Sequence, residues 1–189
     1  MADALRRALL LGPLLAAPAP ARAAPTQTIG PTAHDFAFEA LEGGPLPLSG
    51  FRGRVLLVVN TASFCGFTPQ YAALQRLHDR HEAAGLSVIG VPSTDFNQES
   101  RDAATVREFC DTMFGITFPM ASITPVRGPA AHPFFAWAAE RAGPVRWNFH
   151  KYLVARDGTR VAGFPAHVPP EAPALQRALA AKLAEAPAA

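Results

Sequence analysis

Val55-Leu56-Leu57-Val58-Val59-Asn60-Thr61-Ala62-Ser63-Phe64-Cys65-Gly66-Phe67-Thr68-Pro69 is the stretch that decides the fold. The apolar run from Arg54 to Ala62, flanked by Gly53 and Ser63, has the length and composition of a strand buried on both faces. Thr68 followed by Pro69 reads as a helix start, with Thr68 as the cap and Pro69 in the first position. Cys65 falls at the junction, near the positive end of the helix dipole, where a thiolate is favoured. That placement points to a nucleophile rather than a core filler. Cys110 is the chain's other cysteine.

Outward from this stretch the pattern alternates. Asp35 to Gly53 reads as short extended pieces around Gly43-Gly44, a small hairpin. Tyr71, Leu74, Leu77 and His78 form one face of a helix ended by Gly85, and Leu86 to Val91 is a second buried-type strand. Asp102 to Gly115 is helical, with Val106, Phe109, Cys110 and Met113 on one stripe, and Phe118 to Ser122 is short and extended. Ala131 to Arg141 is a third helix. Strands at Arg146–Arg156 and Thr159–Phe164 are joined by the tight-turn pair Asp157-Gly158. Glu171 to Glu185 closes the chain as a helix with Leu175, Leu179 and Leu183 inward. This order predicts an α/β domain with a mixed central sheet flanked by helices.

The 189 residues, 49% hydrophobic and 17% charged, fit one globular domain. The first 23 read as a cleavable signal peptide: Arg6 and Arg7, then apolar Ala8 to Ala17, then Ala21-Arg22-Ala23. The apolar run is too short to span a bilayer, and Pro13 and Pro18 argue against an uncleaved anchor. Residues 24–189 then form the mature domain, exported and expected in the periplasm. The leader holds three arginines against one aspartate, so its removal takes the formal charge from +2 to zero. Without a basic cluster, nucleic-acid binding has little support. In an oxidising compartment the plain alternative for two cysteines is a structural disulfide.

Three segments bring chemistry together: the Cys65 loop, Pro92-Ser93-Thr94-Asp95-Phe96-Asn97-Gln98-Glu99 after the second strand, and Trp147-Asn148-Phe149 at the entry of a later one. Loops at strand ends of an α/β sheet line ligand crevices. Trp and Asn offer N–H donors able to bond a thiolate or the oxygen it attacks.

Together with Asn60 to Gly66, Thr117-Phe118-Pro119-Met120 and Trp147 to Leu153, these segments resemble the glutathione peroxidase family in its cysteine form, over roughly Phe36 to Pro169. The resemblance implies a thioredoxin-like fold. It also implies a thiol peroxidase in which Cys65 reduces hydrogen peroxide or organic hydroperoxides, within a polar tetrad of Cys65, Asp95, Trp147 and Asn148. Asp95 departs from the family's usual Gln, and its loop is about one residue shorter. An ionised Asp95 beside Cys65 would raise the thiol pKa, so it must be protonated, turned away, or held by a base such as Lys151. Trp147 and Asn148 can reach one thiol only from an irregular strand entrance, because neighbours in a regular strand face opposite sides.

Cys110 matches the resolving cysteine of the thioredoxin-dependent branch, condensing with a Cys65 sulfenic acid to a disulfide. A plain core cysteine is the alternative, and both hold if the helix opens locally. His78 and His81, three apart on a helix, lack further metal ligands at suitable spacing. The site residues are therefore Cys65, Asp95, Trp147, Asn148 and Cys110, with no haem, flavin or metal required. The expected reductant is a thioredoxin-like protein or glutathione. The short Arg141–Trp147 segment favours a monomer. Two other functions are compatible with such a fold. A periplasmic thiol–disulfide exchanger or copper chaperone would want paired cysteines in one motif, whereas Cys65 is followed by Gly66, Phe67 and Thr68. A non-catalytic peroxide sensor needs oxidation without turnover.

Overall fold

The computed structural model describes residues 30–186; the leader and its cleavage point lie outside them. A hairpin of β1 (Ala37–Glu39) and β2 (Pro45–Pro47) turns at Gly43 and Gly44, whose φ values of 92° and 83° suit glycine. The main sheet holds β3 (Val55–Thr61), β4 (Leu86–Pro92), β5 (Lys151–Val154) and β6 (Val161–Phe164), in the order β4-β3-β5-β6. The pair β3/β4 is parallel, and β3/β5 and β5/β6 are antiparallel. Four helices complete the domain: α1 (Gln70–His81), α2 (Ala103–Phe114), α3 (Pro133–Ala142) and α4 (Pro173–Leu183).

Every residue of β3 and β4 is buried, as their predominantly apolar runs require. Val55, Leu57 and Val59 pack with Tyr71, Leu74, Leu77, Leu175 and Leu179, so α1 and α4 cover that face. Leu56 and Val58 point the other way, into Phe134, Phe135 and Trp137 of α3. Each such side chain contributes about 1.5–3 kcal/mol by leaving water. The mixed sheet flanked by helices is the expected architecture.

The segment Phe118–Ser122 is short and extended, as expected, and docks on the outer edge of β4, where Gly90 N–H donates to Pro119 O and Ala121 N–H to Gly90 O. Three local expectations are corrected. The regular part of the Arg146–Arg156 strand is only Lys151–Val154, because Phe149 turns the chain with a φ of 61°. Met113 leaves the apolar stripe of α2: it is 64% exposed while Val106 and Cys110 are buried. Thr68 does not cap α1. Its hydroxyl is taken by the cysteine loop, accepting Cys65 N–H at 3.0 Å and donating to Ala62 O at 2.8 Å.

Candidate active site

Cys65 sits on the tight turn between β3 and α1, almost buried at 7% exposure. The turn is closed by Thr68 N–H on Cys65 O and by the Thr68 hydroxyl. Phe67 N–H points at Cys65 Sγ from 3.4 Å, a backbone donor poised for negative charge. Cys110, on α2, is 1% exposed and shares the same core cluster; both cysteines are free thiols. Burial pushes the Cys110 thiol up to about 11, against a lowering contact with Tyr71 and with smaller raising contributions from the charges of Glu99 and Asp111.

Trp147 and Asn148 lie in an irregular turn ahead of β5, the entrance their joint role requires. One residue holds that turn. Asn60, at the end of β3, accepts His150 N–H through its Oδ1 at 3.0 Å and donates Nδ2 to Trp147 O at 3.2 Å. Its backbone O also accepts Phe149 N–H at 2.6 Å. Asn60 is part of the quoted motif, yet nothing in its local sequence announces this clamp. Asn148 is fully buried and donates Nδ2 to Gln98 Oε1 at 2.9 Å. Gln98 O in turn accepts Phe64 N–H at 2.9 Å, beside Cys65. Gln98 is thus the glutamine that ties Asn148 to the cysteine loop, a residue that reading by motif position passed over.

Asp95 is occupied elsewhere. Its Oδ2 accepts Val126 N–H at 2.7 Å and Arg127 N–H at 3.1 Å. Of the three alternatives for this carboxylate, it is turned away from the Asn148–Gln98 pair. Lys151 does not hold it, since the Lys151 ammonium is buried and donates to Phe149 O at 2.7 Å. Trp147 is 42% exposed and packs on Phe96, ring centroids 5.2 Å apart, with the Arg127 guanidinium over the other ring.

A cavity of about 520 Å³ adjoins this turn, lined among others by Phe67, Arg146, Trp147, His150, Gly163 and His167. Phe67, whose N–H faces Cys65 Sγ, is shared by the cavity and the cysteine loop. Burial and the nearby Lys151 lower His150 to about 4, so the imidazole is neutral at physiological pH. His78 is buried and 3.8 Å from Glu82; among the described residues no three His, Cys, Asp or Glu side chains group as a metal site.

Known proteins extend this picture. The glutathione peroxidase family profile matches residues 33–139. A hydroperoxy fatty acid reductase of Synechocystis is 40% identical over 152 residues, covering 74% of this chain and 90% of that protein. A glutathione peroxidase-like peroxiredoxin of Chlamydomonas reinhardtii is 37% identical, covering 75% and 94%. Among solved structures, the apo crystal structure of Trgpx aligns with a TM-score of 0.68 at 28% identity, over 83% of this chain and 98% of that one. A secreted disulfide oxidoreductase of Mycobacterium tuberculosis, at 16% identity and a TM-score of 0.53 over 80% and 96%, shares the thioredoxin-like fold alone. On the family profile over more than half of its length and this extent of likeness to its relatives, the chain belongs to the glutathione peroxidase family and is a peroxidase.

Proposed function

We propose that this peroxidase uses Cys65 as its nucleophile and Cys110 as its resolving thiol, in an exported protein reduced by a thioredoxin-like partner. The Cys65 thiolate attacks the terminal oxygen of ROOH. The O–O bond breaks, the sulfur becomes a sulfenic acid, and RO⁻ leaves as ROH after taking a proton. Cys110 then displaces the sulfenic hydroxyl, giving a Cys65–Cys110 disulfide and water. An external dithiol restores both thiols by exchange. The observation that carries this reading is the Cys65 turn itself, a nearly buried thiol with a backbone N–H aimed at its sulfur.

Trp147 and Asn148 are assigned as polar partners of the reacting oxygen, held in place by the Asn60 clamp and by Gln98. Asp95 acts by supporting the loop rather than by touching the thiol. The cavity beside Trp147 supports organic hydroperoxides as substrates, since Phe67 links it to the Cys65 turn. The leader pattern of residues 1–23 supports a cleaved signal peptide and a periplasmic location. The short link into Trp147 supports a monomer.

Peroxide consumption with thioredoxin as reductant tests the reading. Cys65→Ser is expected to lose turnover entirely, and Cys110→Ser to lose the thioredoxin-linked cycle while still oxidising once. Unchanged turnover in Cys65→Ser overturns the assignment, and full thioredoxin-linked turnover in Cys110→Ser makes Cys110 structural.

A further inference from the structure

Trp147 is clamped by its main chain, not by its indole. Asn60 Nδ2 bonds Trp147 O at 3.2 Å and fixes the backbone at the entry of β5. The side chain is 42% exposed and stands outside that clamp. A half-exposed side chain has several staggered rotamers open to it, and an N–H donor serves a reacting oxygen only from the right one.

The ring against the indole is Phe96, with centroids 5.2 Å apart and planes at 52°, inside the range of about 4.5–7 Å that aromatic pairs prefer. Phe96 comes from the loop after β4, yet it is only 8% exposed and is rooted with Val126 in the core on the α3 side of the sheet. Arg127 closes over the same ring, its guanidinium carbon 4.5 Å from the centroid. No ion pair among the described residues involves Arg127, so the aromatic face is the contact that occupies its charge. The two segments are also joined through the backbone, where Asp95 Oδ2 accepts Val126 N–H and Arg127 N–H. The turn that presents Phe96, closed by Asn97 N–H on Thr94 O at 2.9 Å, presents Gln98 to Asn148 as well. One short loop therefore touches both Trp147 and Asn148.

We infer that Arg127, acting through Phe96, is a positioning residue for Trp147. The guanidinium holds the Phe96 ring against the indole, and the indole is thereby kept in the rotamer that offers its N–H to the peroxide oxygen. The inference rests on Trp147 being a partner of that oxygen. The path runs through the Arg127 side chain, and the Asp95 carboxylate is not part of it.

A contact that merely joins two loops acts equally with or without Trp147, whereas a positioning contact acts only through it. Single-turnover oxidation of Cys65 by hydrogen peroxide in the full protein, followed by loss of free thiol, separates the two in a double-mutant cycle. Arg127→Met is expected to slow the step about two- to five-fold, the scale of an exposed cation–π contact, and Phe96→Leu about tenfold. Arg127→Lys, which keeps the cation, should recover part of the rate. In a Trp147→Phe background, neither Arg127→Met nor Phe96→Leu should slow oxidation further. Acrylamide quenching gives a second reading: Trp137 is 5% exposed, so the quencher reports on Trp147, and Arg127→Met should quench more strongly than wild type.

A wild-type oxidation rate in Arg127→Met overturns the proposal. A loss in Arg127→Met that persists in full beside Trp147→Phe overturns it equally, because the contact is then structural. Arg127 is exposed, so this variant decides the matter even if Phe96→Leu does not fold. Wild-type oxidation in Trp147→Phe alone removes the underlying assignment of Trp147 instead. A slow Trp147→Phe beside a silent Arg127→Met leaves that assignment standing and sinks the positioning role.

Discussion

Gln98 and Asn148, fifty residues apart in sequence, are joined by a 2.9 Å hydrogen bond from Asn148 Nδ2 to Gln98 Oε1. Because Gln98 O also accepts Phe64 N–H, one residue spans the Trp147–Asn148 turn and the Cys65 loop. The Asn148 amide is fully buried, and its Oδ1 has no partner among the described residues, so Gln98 is the contact that sets its orientation.

Gln98→Ala is therefore expected to leave a buried N–H donor unpaired, costing about 1–3 kcal/mol of stability. The same change should lower kcat/KM for peroxide at unchanged Cys65 content, with Gln98→Glu recovering the acceptor and part of the rate. Denaturant unfolding alongside steady-state kinetics measures both. Wild-type kcat/KM in a folded Gln98→Ala protein would deny Gln98 any part in orienting the site.

Asp95→Ala removes the acceptor for Val126 and Arg127 N–H groups and is expected to cost about 2 kcal/mol. Asp95→Asn, which keeps an acceptor oxygen, should cost less than half as much. In both variants the rate of Cys65 oxidation at 25 °C should stay close to wild type. A large loss of that rate in folded Asp95→Asn would return the carboxylate to the reacting centre.

Two neighbouring residues on β5 and at its entry make stability depend on pH with a defined sign. His150 is held near 4 against an ordinary value of 6.5, and Lys151 near 7 against 10.5, burial being the first cause for each. Both are depressed bases, so the unfolded chain binds the extra proton between the folded and unfolded values, and stability rises with pH through those windows. The His150 contribution is complete above pH 6.5 and is lost as pH falls to about 4, a change of about 3 kcal/mol. The Lys151 contribution grows from about pH 7 to 10.5. Urea unfolding of His150→Gln should show a flatter curve from pH 6.5 to 4. Lys151→Met should gain on wild type as pH falls from 10 to 7, less the cost of freeing Phe149 O. An unaltered acid limb in His150→Gln would show that the imidazole titrates normally.

Gly163, on β6, leaves no room for a side chain: an added Cβ would collide with the backbone carbonyl of Ala142 at the end of α3. Gly163→Ala is expected to cost about 1–3 kcal/mol, because a backbone atom cannot swing aside as a side chain does. Since Gly163, Ala142 and Trp147 line one cavity, the shift should also raise KM for bulky organic hydroperoxides more than for hydrogen peroxide. Parallel melting curves and paired KM values test this. Equal KM changes for both substrates would separate the cavity from substrate binding.

What the chain's order of residues determines by itself is the frame. Two predominantly apolar runs become the buried strands β3 and β4, and the 3.6-residue spacing of Tyr71, Leu74 and Leu77 places α1 against one face. Burial of a face is a local property written in periodicity, and the motif around Cys65, Trp147 and Asn148 marks the family in the same direct way. The choice of polar partners is not local. The loop from Thr94 is bent by Asn97 at a φ of 56°, which sends Asp95 to Val126 and Gln98 to Asn148, although the two sit three residues apart. Phe149 at 61° similarly presents Trp147 and His150 to the Asn60 clamp. Only the tertiary structure brings Cys65, Tyr71 and Cys110 into one buried core, because each arrives from a different segment and the backbone between them decides which side chains meet.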